Sequence, residues 1–420
     1  MKRLLLPAVL FLLACLSLPV LAQDDSARLD VIDVSGPLDD QALTFIRDTI
    51  LWAAEAGSEA VILQLDSPGV VGDPGLYGEV LALVADPPLP LAVWIGPAPA
   101  VAYGGVVDLL AAAPLRIAAP GAEIGLAEPT IVADRDDDTT RFSPILAENF
   151  LVVETTVEDL VDVLQPAIRQ IVQELDGVSF PVRGRIVEVS TLTTTEVDGE
   201  QVVTTVPVTF HKPGYWARFL RLAVTPEAAF LFLVAGLTVA AFEFYAIGPG
   251  VAAAVAAISL FLASYGIATL PVRWWALGLA ALGWAALTAS YQQGSVATLT
   301  VIGTVLVAVG GLWYVDGAPQ LEMNPIVTLL IVAAVVLFYV VAMPTVARAR
   351  FSTRTIGREH LIGRVGVALV DFSPDGEVEV EGARWKASAH REAGIRKGTE
   401  VRVTEVDGLV LEVEPVATES

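Results

Sequence analysis

The chain has 420 residues, 54% of them hydrophobic, and sets 25 Lys and Arg against 48 Asp and Glu for a formal net charge of −23. Its mean hydropathy of +0.64 belongs to a membrane-spanning chain rather than an ordinary soluble one, and the acidic balance argues against nucleic acid and other polyanions as partners. One cysteine, Cys15, and three histidines, His211, His360 and His390, leave no disulfide and little for a histidine- or cysteine-built metal centre, so no cofactor is expected.

The opening "MKRLLLPAVLFLLACLSLPVLAQDD" has a basic start (Lys2, Arg3), an apolar core and a small-residue site at Val20-Leu21-Ala22. These are the three parts of a secretory signal, and cleavage after Ala22 is the preferred reading for residues 1–22. The stretch "LLAC" also resembles a lipoprotein cleavage box, but the residues after Cys15 stay apolar where a lipid-anchored end is usually polar. An uncleaved anchor is the third reading.

Residues 23–210 read as one α/β domain. From Ala27 to about Asp176, β-rich runs such as "ARLDVIDV", "SEAVILQLD" and "PLAVWIGPA" alternate with helical stretches, the pattern of a sheet buried between helices. Asp73-Pro74 is an N-cap and first-turn pair for the helix after "LDSPGVVG". The stretch "GPAPAVAYGGVVDLLAAA" (Gly96–Ala113) follows a strand and opens a helix, the usual setting for a nucleophile, yet it contains no serine, cysteine or threonine. "RIVEVSTLTTTEVDGEQVVTTVPVTF" reads as a polar β-hairpin turning at Asp198-Gly199, a surface excursion leading to the membrane.

Residues 211–346 form a membrane block. Gly and Pro divide it into about five apolar segments near Ala228–Ile247, Val251–Leu270, Trp274–Ser290, Val296–Tyr314 and Pro325–Pro344, each long enough for a ~30 Å hydrocarbon layer. "HKPGYWARFLRLA" ahead of them suits the lipid–water interface. With an exported first domain, five spans return the C-terminus to the cytoplasm. Arg348, Arg350, Arg354 and Arg358 after the last span fit the positive-inside rule, whereas Lys212, Arg218 and Arg221 fall on the opposite side. The expected localisation is therefore a multi-pass plasma-membrane protein with the first domain outside and the last inside. Residues 361–416 turn polar and alternating: "LIGRVGVALVD", "GEVEVEG", "ARWKASAH", "GTEVRVTEVDG" and "LVLEVEP" are five short strands separated by turn dipeptides, a small closed β-barrel of the OB kind.

These parts in this order resemble the long form of the NfeD-like family: a ClpP-class, crotonase-fold domain, a membrane block and an OB barrel. "TPEAAFLFLVAGLTVAAFEFYAIGPG" looks like that family's first span, and "LIGRVGVALVDFSPDGEVEVEGARWKASA" through "LVLEVEP" is similar to its barrel. "LDSPGVV" and "RIAAPGAEIGLAEP" resemble two landmark loops of the ClpP-class domain. The resemblance implies a Ser-Lys peptidase, a stomatin- or flotillin-type membrane partner, and self-association of the ClpP-class domain into homo-oligomers.

This sequence departs from that pattern at three points. The family's serine falls on Tyr103, or on Ala102 or Gly104 if the alignment slips by one, with Gly104 and Gly105 following. No lysine occurs between Lys2 and Lys212, and no histidine between Ala27 and Phe210. An arginine such as Arg169 or Arg141 keeps its guanidinium protonated and cannot serve as a base at neutral pH, and a serine without a base is a poor nucleophile. In the oxyanion loop, Ser67, Pro68 and Gly69 are retained, but Val70 stands where the family has a second glycine, and a β-branched residue restricts close approach of a substrate.

Other candidates carry less. Tyr103 as a catalytic phenol is set against an aromatic packed into the emptied pocket, and Ser67 as a displaced nucleophile against an ordinary Ser-Pro-Gly turn. Glu128 and Asp66 could form an acid pair, but acids are common throughout the domain. The run "ADRDDDTTR" (Asp134, Asp136, Asp137, Asp138) lacks the glycine turn and distal Glu of an EF-type calcium loop and reads as solvated. Glu243 lies in the first span, where burying a charge costs at least ~2.5 kcal/mol; it sits near Gly248-Pro249-Gly250 and can reach the interface, while Asp316 and Glu322 read as loop residues. Without acid–base pairs across the spans, a channel or transporter is weakly supported. In the barrel, Phe372 and Trp385 are too few stacking aromatics, and its basic residues too well matched by Glu377, Glu379, Glu381 and Glu400, for single-stranded nucleic acid. The expectation is a membrane scaffold or adaptor with a degenerate protease domain; the alternative is an active membrane-bound serine endopeptidase of the ClpP class.

Overall fold

The computed structural model describes residues 27–127, 145–158, 160–197, 200–246, 250–316, 319–345, 359–389 and 393–416. The expected signal (1–22), the acidic run, Glu128, Arg141, the Asp198-Gly199 turn, the four arginines after the last span and His390 lie outside them. Two compact units, Met1–Met343 and Pro344–Ser420, make up the chain.

In the first unit β1 (Leu29–Ser35), β2 (Ala60–Asp66), β3 (Leu91–Ile95), β5 (Leu115–Ala118), β8 (Val163–Leu164) and β13 (Val208–His211) form one sheet in the order β13-β1-β2-β3-β5-β8. Every pairing in it is parallel. β2 and β3 are nearly continuous apolar runs because both faces of the sheet are covered. One face packs under α1 (Asp40–Glu55), α2 (Pro74–Ala85) and α3 (Gly105–Ala112) around Leu43, Ile46, Leu63 and Val106. The other holds Trp94, Ile171, Phe180 and Val206, supplied partly by α5 (Ile168–Glu174). The cap expected at α2 is present: the Asp73 carboxylate accepts from the Leu76 N–H at 3.0 Å, with Pro74 in the first turn. A small second sheet, β4 (Val101–Tyr103), β6 (Glu123–Gly125) and β7 (Phe150–Val152), stands beside the main one, with the short α4 (Ile145–Glu148) leading into β7.

The segment after α5 differs from the single hairpin expected. β9 (Ser179–Val182) pairs with β10 (Arg185–Glu188), the hairpin proper is β11 (Leu192–Val197) with β12 (Glu200–Thr205), and β13 returns to the main sheet beside β1. The domain therefore runs past residue 210, and His211 is its last strand residue, aligned with Ile32.

The interfacial helix α6 (Tyr215–Arg221) precedes α7 (Pro226–Ala246), α8 (Val251–Thr269), α9 (Trp274–Gln292), α10 (Ala297–Leu312) and α11 (Pro325–Leu337), the last continuing through a π-turn at Phe338–Ala342. The five helices fall where the five segments were expected. Three stretches, Pro226–Tyr245, Val251–Thr269 and Pro319–Thr345, are long and apolar enough to cross a membrane. Helices α9 and α10 meet through glycine: a Cβ on Gly303 would lie 2.8 Å from the Gly283 carbonyl oxygen, the close approach small residues permit between membrane helices.

The α/β domain is tied to this block at Asp39. Its fully buried carboxylate caps α1 through the Ala42 N–H (3.1 Å), accepts from the Tyr265 phenol of α8 (2.6 Å), and forms an ion pair with Arg221 Nε of α6 at 3.2 Å. Val71, just after the Ser67–Val70 loop, belongs to the same core as Phe230, Tyr314, Leu321 and Met323.

In the second unit β14 (Val365–Ala368), β15 (Asp375–Val380), β16 (Ala383–Ser388), β17 (Glu400–Asp407) and β18 (Val410–Pro415) close a barrel in the order β14-β15-β16-β18-β17. All pairs are antiparallel except β16–β18. Alternation does the sorting: Val378 and Val380 are buried while Glu377 and Glu379 are exposed. Phe372 and Trp385 both pack against the barrel core, and the Phe372 ring covers Gly376, where a Cβ would come within 2.3 Å of it.

Candidate functional site

The residues singled out in the sequence converge where β2 and β4 end. Ser67 is fully buried. Its N–H donates to the Val101 carbonyl at 2.7 Å and its carbonyl accepts from the Tyr103 N–H at 3.2 Å, so Ser67 extends β2 beside β4. Its hydroxyl lies 3.1 Å from the Gly69 carbonyl oxygen and 3.3 Å from the Gly69 nitrogen. That oxygen is held by its own turn and meets no nitrogen base among the described residues. The loop is pinned from β1's side, since Leu38 N–H donates to the Gly69 carbonyl (2.9 Å) and the Val71 and Gly72 N–H groups donate back to Leu38 (2.9 and 3.0 Å). Asp66 accepts from the Val101 N–H at 2.9 Å, a main-chain role.

Tyr103 is the last residue of β4. Its phenol donates to the Glu123 carboxylate at 2.5 Å, and its ring lies 6.2 Å from Phe150. Burial, and then the Glu123 bond, push its pKa well above the ordinary tyrosine value, which holds the phenol protonated, the reverse of what a nucleophile needs. Gly104 has φ +56° and starts the turn into α3; its N–H donates to the Leu126 carbonyl at 3.0 Å. Only glycine takes such a conformation without strain. Under this turn the Tyr77 phenol donates to the Gly105 carbonyl (2.9 Å), and Val70, itself buried, places Cγ2 2.9 Å from where a Gly105 side chain would begin.

The structure thus brings Asp66–Val70 and Tyr103–Gly105 together. Arg169 is exposed on α5. Glu243 accepts from the Gly250 N–H at 3.2 Å, at the start of α8, where a carboxylate is favoured by the helix dipole. Asp316 pairs with Arg273 at 3.0 Å and Glu322 is exposed, both in loops.

Two features escaped the sequence reading. His211 belongs to the domain, so the expectation that it holds no imidazole is corrected; β13 supplies one because its pairing with β1 is long-range. Its Nε2 lies 2.8 Å from Asp30 Oδ1, and Asp30, fully buried, also accepts from the Ser58 hydroxyl and pairs loosely with Arg28 (3.4 Å). The carboxylate stands in the middle of this trio, so Ser58 is not activated by the imidazole. Since Ile32 aligns with both His211 and Leu63, His211 is two strands across and four residues short of Ser67, roughly 15 Å by strand geometry. Lys212 is 60% exposed and pairs with Asp33 at 3.0 Å. The second feature is Gln320, on the turn Pro319–Leu321 between α10 and α11: its Nε2 would stand 3.3 Å from a Gly104 side chain, and both of its amide heteroatoms are buried without a hydrogen-bond partner.

Fold and site define a membrane protein with a parallel α/β domain, three candidate spans and an OB-like barrel. Residues 227–343 match the NfeD integral membrane domain and residues 358–415 the NfeD-like C-terminal, partner-binding domain. The chain belongs to the NfeD-like family. Over 98% of its length it is 24% identical to the membrane-bound protease PH1510 of Pyrococcus horikoshii, covering 97% of that protein. Among solved structures, the 1510-N membrane protease specific for a stomatin homolog, from the same organism, is 17% identical with a TM-score of 0.35, covering 46% of this chain and 97% of that one. The C-terminal domain of the stomatin operon partner protein 1510-C from the same organism is 36% identical with a TM-score of 0.15, covering 15% of this chain and 98% of that one.

Proposed function

We propose that this chain is a membrane scaffold whose protease-like domain has lost its Ser-Lys chemistry and retains a cleft for polypeptide, and that its barrel docks a stomatin-type membrane protein. The observation that carries the reading is the state of the would-be reactive residues. Tyr103 stands in place of the family's serine with its phenol bonded to Glu123, and Ser67 is bonded to the Gly69 main chain. No lysine lies between Lys2 and Lys212, and the domain's single histidine is engaged by Asp30. The proposed topology places the α/β domain outside the cell and the barrel in the cytoplasm, with five passes and a signal cleaved after Ala22. Glu243 acts as a helix-start partner rather than a conducting group, and homo-oligomers are consistent with the class.

The test is a fluorophosphonate probe on the purified full-length protein. The expected result is no stoichiometric labelling of any serine between Ser26 and Ser190; labelling abolished by substituting one serine overturns the reading. A second reading, an active serine endopeptidase, draws support from the near full-length similarity to a protein named as a protease, and the same experiment decides for it. Co-purification with a stomatin-type protein, lost on deleting 361–416, tests the docking role.

A further inference from the structure

The cleft has a wall that the α/β domain does not supply. Gln320 comes from the membrane block, more than 200 residues along the chain from Gly104, yet its amide nitrogen would stand 3.3 Å from a Gly104 side chain, with Gly69 Cα 3.9 Å from the same point. The turn that carries it is anchored through the residues that follow Gln320. Leu321 is 2% exposed in the membrane-block core, and Val71, two residues after Gly69, packs in that same core. Further along, Asn324 caps α11, and its N–H donates to Glu227 of α7 at 2.9 Å. Gln320 is therefore held against the cleft rather than swinging free of it.

What sets it apart is that both amide atoms are buried and neither has a partner among the described residues. An unmet buried donor or acceptor costs about 1–3 kcal/mol, and one that persists calls for an explanation. A side-chain amide presents one carbonyl and one N–H2, the complement of a single main-chain peptide unit. Around it, Gly69 N–H faces the Ser67 hydroxyl, Val71 and Gly72 N–H face Leu38, and Gly104 N–H faces Leu126.

Resting on the peptide-cleft reading above, we propose that Gln320 is a peptide-binding residue contributed by the membrane block, which takes one main-chain amide of an extended polypeptide segment lying against Gly104. The α/β domain and the membrane block then bind the segment jointly, and the cleft is incomplete in the isolated domain.

The experiment uses full-length protein in detergent micelles, with fluorescein-labelled, reduced and carboxymethylated α-lactalbumin as an unfolded chain, read by fluorescence polarisation. Gln320→Leu keeps the volume and removes both polar atoms. Losing two neutral hydrogen bonds predicts a Kd raised about 5- to 30-fold, while the free variant melts no lower than the wild type, because an unsatisfied buried amide has been replaced by an apolar group. Gln320→Ala should weaken binding at least as much. A residue that serves only packing, or whose amide meets a buried water, would not join weaker binding to unchanged or higher stability. Binding by the wild type that both variants retain overturns this inference and leaves the peptide cleft standing; absence of binding by the wild type overturns both.

Discussion

Replacing Asp39 tests how the α/β domain is held to its membrane block. In Asp39→Ala the N-cap of α1 is lost, at about 1 kcal/mol. The Tyr265 phenol loses a 2.6 Å acceptor, and Arg221, whose side chain is 12% exposed, loses its counter-charge. Arg221 keeps the carbonyls of Ser35 and Pro37 at 2.7 and 3.1 Å, and its Nε faces Asp39 as an ion pair without hydrogen-bond alignment. The loss should therefore sit near the low end of the ~3–5 kcal/mol typical of breaking a buried charge pair. At ~2–4 °C per kcal/mol for a domain of this size, the apparent melting temperature should fall by about 10 °C. Asp39→Asn retains an acceptor for Ala42 and should lose about half as much. The assay is intrinsic fluorescence of the eight tryptophans during a thermal ramp in detergent. An Asp39→Ala protein melting within a degree of the wild type would refute the view that this carboxylate joins the two parts.

Tyr103→Ser places an alcohol at the proposed position of the family's serine without a base, so the variant should remain unlabelled by fluorophosphonate; a fluorescent adduct on a gel would reveal a base that the sequence and the described residues do not supply. Asp162 is bound by Arg116 through Nη2 at 2.6 Å and Nε at 3.0 Å. Burial raises its pKa, and the Arg116 bonds outweigh that and hold it below the ordinary carboxylate value. Its contribution is thus present above pH ~4 and is lost as pH falls through the lowered folded value. Asp162→Asn should cost about 1 kcal/mol at pH 7, with wild type and variant converging in melting temperature as the pH falls below that lowered value. Gly303→Val forces side-chain atoms onto the Gly283 carbonyl and Leu287 nitrogen, and should destabilise the α9–α10 pair by about 1–3 kcal/mol, read as a lower melting temperature; an unchanged value would show that the helices pack otherwise.

Most of the architecture is written in local patterns. The barrel follows from period-two alternation in short segments such as "GEVEVEG", the helix starts from Asp73-Pro74, and the cleft turn from Gly-Gly after Tyr103, because each of these is decided within a few residues. What escapes is non-local. Val208–His211 is a polar edge run whose place beside β1 depends on a partner nearly 180 residues away, and so His211 was assigned to the membrane segment. Asp39 reads as an N-cap, and nothing nearby announces that Arg221 and Tyr265 converge on it. Gln320 is one polar residue in a short turn, which carries no periodicity at all.

On the proposed reading the site is filled from three directions, and each filling would replace a different requirement of acyl transfer. Tyr103 puts a phenol tethered to Glu123 where a free alcohol is needed. Val70 wedges beneath α3 where a glycine main chain would lie open to a substrate, and Gln320 brings the membrane block against the turn that begins α3. Active sites hold unsatisfied polar groups and open space at a cost in stability; here the side chains of Tyr103, Val70 and Tyr77 are all committed to contacts within the fold. A catalyst needs its nucleophile, base and oxyanion donors poised together, because the loss of one strands the rest. A binding cleft needs only complementarity to a chain in its ground state. On the proposed reading, side chains at the positions of the reactive groups, beside an unmatched peptide-like amide, meet the second demand and not the first.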